Sequence, residues 1–378
     1  MLKPSRLIFA VVVFLGFISV LYHYNSFKPL LSGDESNTSS SLSDLDGFPQ
    51  DTNPTLPDEP APQRANATLF MLARNSDITG VVNSIKQLER RFNHKFHYPY
   101  VFLNNVPFTK TFKQRVLELT DSTVEFGLIP REHWIQPDWI DEEKAYRARQ
   151  RMKSLGVLYG ESLSYRNMCR FNSGFFFKHE LMQKYRWYWR VEPDVKFFCD
   201  IPQDPFVFME EHDKVYGFTI TAYELRATIP TLWSQVQRFI EDRPELIASD
   251  NAMDFISSPH GLQYSACHFW SNFEIADMDF WRGPAYTAFF EHLDLAGGFY
   301  YERWGDAPVH SIGVSLLARK DQVHFFDEIG YQHENWMHCP TSSQAWADNK
   351  CTCNPLTTFD KAAGSCLTRW ENTMTGQQ

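Results

Sequence analysis

Tyr188-Trp-Arg-Val-Glu-Pro-Asp-Val-Lys-Phe-Phe-Cys-Asp200 decides how this chain is read. An aromatic, strand-like run stops abruptly at two carboxylates, Glu192 and Asp194, separated by Pro193. In extended backbone, side chains two residues apart point the same way. The two acids are therefore expected to face a single cation at the mouth of a sheet, the arrangement needed to hold a divalent metal against a diphosphate. The plain alternative is a solvated turn closing a buried strand. Glu-Pro-Asp alone does not separate the two.

Around this stretch, apolar runs alternate with helical patterns. Thr68-Leu-Phe-Met-Leu-Ala73 reads as a short buried strand, followed by polar Arg74-Asn-Ser-Asp77. A helix is expected over 78–92, with Val81, Val82, Ile85 and Leu88 on one face. A strand at 100–103, a helix at 109–119 and a strand at 124–128 complete β-α-β-α-β, the start of an open, largely parallel sheet. Ligands of such sheets bind beyond the carboxyl ends of the strands. Arg74 sits at one such end, just before a helix N-terminus that favours an anion.

A charged helix is expected at 142–155. A helix at 179–185 then leads into a strand at 187–191 that delivers Glu-Pro-Asp at its carboxyl end, which the metal reading requires. Trp187 and Trp189 are assigned to the core rather than to a sugar platform. A strand is expected at 215–220, and 267–275 is a mixed polar and aromatic segment. Asp306 is expected to N-cap a helix with Pro308 in its first turn, and His310 on that helix is read as structural. The last strand, 323–326, runs into Asp327-Glu-Ile-Gly-Tyr-Gln-His333. No G-x-G-x-x-G follows the first strand and no P-loop occurs, which argues against dinucleotide oxidoreductases and P-loop kinases.

At 378 residues with 32 Phe and 11 Trp, the chain has ample material for a large core. A formal charge of −10 and the absence of a long basic run exclude general attraction to nucleic acid. Lys3 and Arg6 precede an apolar run over 7–22 that lacks a good small-residue exit. A retained signal-anchor is expected, with residues 1–6 cytosolic and the body lumenal. Residues 23–64 read as a flexible stem, rich in Ser, Asp and Pro over 32–63, and the globular body runs over 65–378. Sequons at Asn37 and Asn66 fit a lumenal setting. Of seven cysteines, 339, 351, 353 and 366 crowd a tail with little periodicity. Disulfides are preferred there over zinc, with connectivity open and one thiol left over.

Six segments in order carry a resemblance. They are Leu72-Ala-Arg-Asn-Ser76, Tyr165-Arg-Asn-Met-Cys-Arg-Phe-Asn-Ser173, Tyr188-Trp-Arg-Val-Glu-Pro-Asp194, His268-Phe-Trp-Ser-Asn-Phe-Glu274, Arg303-Trp-Gly-Asp-Ala-Pro-Val-His-Ser311 and Phe325-Phe-Asp-Glu-Ile-Gly-Tyr-Gln-His333. Together they resemble the fungal Golgi α-1,2-mannosyltransferases of glycosyltransferase family 15, over nearly the whole body. The resemblance implies a GT-A fold, α/β with a central mostly parallel sheet flanked by helices. It implies Mn²⁺, GDP-mannose as donor, and retaining transfer to the 2-hydroxyl of mannose on N- or O-linked glycans, in a type II protein of the Golgi membrane. By the same resemblance Glu192, Asp194 and His333 are metal-site residues, with Asp194 acting directly or through water. Tyr165 meets the donor phosphates and Arg74 the nucleotide. Glu274 is the acid at the reacting carbon, as nucleophile or as charge stabiliser, and Asp306 lies near the acceptor. Two other readings are a mannan-binding lectin-like module without turnover and a mannosylphosphate transferase.

Overall fold

The computed structural model describes residues 64–376, within one compact unit. The expected anchor, most of the stem and the Asn37 sequon lie outside the described residues. The strands, in chain order, are β1 (Ala67–Leu72), β2 (Tyr100–Asn104), β3 (Val124–Leu128), β4 (Trp187–Arg190), β5 (Lys196–Phe197) and β6 (Tyr216–Phe218). They continue with β7 (Thr221–Tyr223), β8 (Cys267–Phe269), β9 (Glu274–Asp277), β10 (Val323–Phe325), β11 (Tyr331–His333) and β12 (Trp336–His338). The central sheet has the order β10-β6-β9-β4-β1-β2-β3. Only β9 runs against the others. The expected mostly parallel α/β sheet is present, and its β1 to β3 portion follows the expected β-α-β-α-β order.

The one reversed strand matters for the site. Register pairs Phe70 with Arg190 and Arg190 with Glu274. The first residue of β9 therefore sits at the same edge as the carboxyl ends of β1, β2 and β4. Alternation along β4 then sorts its side chains. Trp187 and Trp189 enter the core layer shared with Phe92 and Phe273, both fully buried, as expected. Tyr188 enters the opposite layer with Phe176, Trp281 and Tyr216. Arg190 follows Tyr188 onto that second face.

Several expectations need correction. Helix Ile78–Leu88 continues not as α-helix but as a wider π-helical turn, Glu89–Asn93. The Glu89 carboxylate accepts from Asn93, Tyr100 and Thr120 at 2.7–2.9 Å, which ties this turn to the start of β2. The expected strand 215–220 is short because the chain leaves the central sheet after Phe218 and enters a hairpin, β7 with β8. The helix expected at 179–185 is one turn, Glu180–Gln183, capped by His179. Asp306 is not an N-cap: Gly305 holds that position, and Asp306 is the first residue of helix Asp306–Leu317. Its carboxylate is drawn inward instead.

The tail is tied by three disulfides, Cys199–Cys351, Cys267–Cys366 and Cys339–Cys353. Cys169 is the buried free thiol. The pairing lay beyond local reading because Cys199 and Cys267 belong to the body. Two of the bridges flank Gly330: a Cβ there would lie 2.7 Å from the Cys199 sulfur and 3.5 Å from that of Cys353. They thereby fix the approach to β11.

Candidate active site

A cleft of ≈ 190 Å³ opens at the carboxyl ends of β1, β2 and β4. Ala73, Arg74 and Asp77 come from the segment after β1, Asn104 and Asn105 from β2 and its exit, and Glu192 and Pro193 from the turn after β4. Trp134 and Met168 close another side. Arg74 is exposed, and its main-chain N–H donates to Asp77 Oδ2 at 2.9 Å. The wall therefore offers a cation, main chain near a helix start and amide side chains, groups that suit phosphate and base edges.

Beneath this cleft lies a charge web that sequence reading did not identify. Arg190, buried, binds Glu192 Oε1 at 2.7–2.8 Å and Asp306 Oδ2 at 2.5 Å, and lies 4.0 Å from Glu274 Oε1. Burial opposes the guanidinium charge, but Asp306, Glu192 and Glu274 outweigh it and hold Arg190 well above its ordinary pKa. Asp306 also accepts from Ser271 at 2.8 Å. Burial pushes the Asp306 carboxyl up, yet Arg190 and then His310 hold it below the usual range. The signal for Arg190 was in the quoted stretch: alternation puts it on the face of Tyr188 and Glu192. A lone arginine in an aromatic strand needs a buried counter-charge.

Glu274 is fully buried. Oε1 accepts from Tyr188 Oη at 2.8 Å, and Oε2 accepts from Tyr216 Oη at 3.1 Å. His310 Nδ1 lies 2.9 Å from Oε2. Burial, then the Glu274 charge, push both tyrosine hydroxyls well above their ordinary range, so each stays a donor. His310, read from the sequence as structural, contacts the central acid directly.

The Glu-Pro-Asp turn departs from expectation. Asp194 has φ +61°, a left-handed residue, so two-residue alternation does not carry from Glu192 to Asp194. Glu192 turns toward Arg190. Asp194 is exposed and turns toward helix Ile78–Leu88, where Oδ1 accepts from Asn83 at 3.1 Å and its N–H donates to Gly80 O. Gly80 permits this approach, because a Cβ there would lie 2.6 Å from Asp194 Oδ2. His333 reaches the same end of the fold through β11, which pairs Tyr331 with Phe197 directly after the turn. Its Nδ1 lies 3.3 Å from Asn272 Nδ2. Among the described residues no three His, Cys, Asp or Glu side chains converge as a ready metal cage. Glu192 and His333 both stand at this edge of the fold, while Asp194 braces the turn.

Tyr165 lies on helix Leu163–Gly174, capped by Ser162. Its ring stacks on Tyr159 at 4.7 Å, and Arg303 lies over it at 5.1 Å. The neighbouring Cys169 and burial push its hydroxyl well above the ordinary value, with Arg303 opposing, so it is a standing hydrogen-bond donor. The structure thus brings Glu192, Glu274 and Asp306 together through Arg190, places Arg74 with Glu192 on one cleft, and leaves Asp194 facing outward.

Residues 34–375 match the family described as glycolipid 2-alpha-mannosyltransferase, glycosyltransferase family 15. The chain belongs to this family. It is 51% identical over 309 residues to the α-1,2 mannosyltransferase KTR1 of Saccharomyces cerevisiae, covering 82% of this chain and 79% of that protein. It is 50% identical over 305 residues to glycolipid 2-alpha-mannosyltransferase 2 of Candida albicans, covering 81% of this chain and 66% of the Candida protein. Among solved structures it resembles core-mannan synthase A (CmsA/Ktr4) of Aspergillus fumigatus in its Mn/GDP form, with TM-score 0.77 and 40% identity over 85% of this chain and 87% of that one. The mannosyltransferase Ktr4p of S. cerevisiae in complex with GDP matches with TM-score 0.78 and 39% identity over 82% of each chain. The fold is therefore the GT-A-like α/β fold of this mannosyltransferase family.

Proposed function

We propose that the protein is a retaining α-1,2-mannosyltransferase that moves mannose from GDP-mannose to the 2-hydroxyl of a terminal mannose on N- or O-linked glycans. The observation that carries this reading is the single cleft joining Arg74, Asp77, Asn104 and Glu192 at the carboxyl ends of β1, β2 and β4, directly above the Arg190 web. In a family-15 chain, Arg74 engages the nucleotide and Tyr165 donates to a donor phosphate oxygen. Glu192 and His333 would hold Mn²⁺, which would supply Lewis-acid charge for the diphosphate. The basic residues before the apolar run at 7–22 support a type II protein of the Golgi membrane with this body in the lumen.

The placement of Glu274 bears on how configuration is retained. A carboxylate with no exposure and hydrogen bonds at both oxygens is poorly disposed to attack carbon. Its fixed negative charge suits an oxocarbenium-like centre without any covalent bond to the sugar. The acceptor hydroxyl then attacks on the face that the diphosphate leaves, and the departing phosphate oxygen takes the hydroxyl proton. The full chain is tested with GDP-mannose, MnCl₂ and α-methyl mannoside. The expected product is a single α-1,2-linked disaccharide, abolished by EDTA. Mannoside binding without product would instead support the lectin-like reading, and mannosylphosphate in the product the phosphotransferase.

A further inference from the structure

His310 and Glu274 meet in a geometry that fixes a proton. His310 is fully buried on helix Asp306–Leu317. Its Nε2 lies 3.0 Å from the main-chain carbonyl of Asn172, which only accepts, so Nε2 carries hydrogen. Its Nδ1 lies 2.9 Å from Glu274 Oε2. A neutral ring with hydrogen on Nε2 would turn a lone pair onto that oxygen. One more proton must lie between them, on the ring or on the acid.

The surroundings choose the ring. Tyr188 Oη accepts from the Trp281 indole N–H at 3.1 Å and so donates its own hydrogen to Glu274 Oε1. Tyr216 donates to Oε2, and the Arg190 guanidinium lies 4.0 Å from Oε1. Each of these favours the ionised carboxylate. The Trp281 ring stacks on the imidazole at 4.5 Å and 22°, a face that attracts a cation. Asp306 lies one turn earlier on the same helix, a second buried carboxyl on this side of the fold. Glu274 and Tyr286 face the ring and Asp306 precedes it by one turn on the helix, with Tyr188, Tyr216 and Arg190 beyond Glu274.

We propose that His310 is an imidazolium whose Nδ1–H positions Glu274 and keeps it a carboxylate in the resting enzyme, a role that rests on reading Glu274 as the charge beneath the reacting sugar. The pair is neutral as a whole and held by fixed donors. The negative end is therefore in place before positive charge develops on the sugar, and no reorganisation is needed at that moment. His310 is a positioning residue: it touches Glu274, not the substrate.

The test is spectroscopic first. In the full chain labelled with ¹⁵N-histidine, the His310 signals are assigned by their disappearance in His310→Asn. Both ring nitrogens are expected to carry hydrogen in the resting enzyme, as their two acceptors require. In Glu274→Gln the ring is expected to fall back to one proton. A neutral ring in the unaltered protein, or an unchanged doubly protonated ring in Glu274→Gln, overturns the proposal. Kinetics supply the second readout: His310→Asn is expected to lower kcat about tenfold or more with the KM for GDP-mannose within about twofold. Unchanged kcat overturns the positioning role. The proton count stands apart from the donor's identity, so an enzyme inactive with GDP-mannose would break the functional reading while leaving the spectra to decide this one.

Discussion

Two clusters of acids, joined through Arg190, behave in opposite ways. Glu274 and Asp306 are buried, and the partners around them are a guanidinium, an imidazole ring and hydroxyls delivered by β4, β6, the turn before β9 and helix Asp306–Leu317. Glu192 and Asp194 sit in a turn at the surface, one half-buried and one exposed, diverging to Arg190 and to Asn83. The buried acids have their charge built into the fold, whereas the turn acids are left with unspent coordinating capacity. Desolvation explains the division. A buried carboxylate is tolerable only with its partners already in place, while a surface one stays ionised in water until a ligand arrives.

The largest way to break this contrast is Arg190→Met. It strips a buried cation from Asp306 and Glu192 together, and a loss of about 3–5 kcal/mol is expected in urea unfolding. A loss under about 1 kcal/mol would mean that the buried acids do not depend on it. Glu192→Gln should show the opposite profile. Stability is expected to fall by about 1 kcal/mol, while transfer falls on the order of 100-fold and the Mn²⁺ dependence weakens. Equal damage to stability and activity would place Glu192 with the structural acids.

Acid titration sharpens the buried side. Asp306 is held below its ordinary value, so its contribution to stability is fully present above the unfolded carboxylate value of about 3.9 and disappears as pH falls through the lower folded value. Asp306→Asn should therefore flatten thermal stability below about pH 4, and an unchanged acid limb would remove Asp306 from that account. The smallest effect belongs to the turn. Asp194→Gly suits φ +61° and removes only an exposed bond to Asn83, so the melting temperature should shift by no more than a few degrees. Loss of activity there without loss of stability would return Asp194 to the metal site.

What was legible in the sequence divides along the same line. Strands β1 to β4 and their crossover helices could be read locally, because near-continuous apolar runs and 3.6-residue periodicity report burial directly. The positions of Arg74 and Glu192 followed from strand ends in a parallel sheet. The reversed β9 was not readable, since its first residue, Glu274, is polar and is buried only by partners from β4, β6 and helix Asp306–Leu317. Asp306 was misread as a cap for the same reason: helix-start chemistry and a buried ion pair ask for the same residue type. The left-handed φ at Asp194 broke an alternation that pattern alone predicts, because Gly80 and Asn83, far away in sequence, receive the turned side chain.

The sequence by itself determined the order of elements, the placement of Arg74 and Glu192 at strand ends, the cysteine supply and the family. Each depends on local pattern or on the identity of residues in line. Only the tertiary structure decided which charges neutralise one another, which cysteines pair, and which acid is sealed from water. Those depend on distances between segments far apart in the chain, and the energy of a charge in a protein is set by what surrounds it.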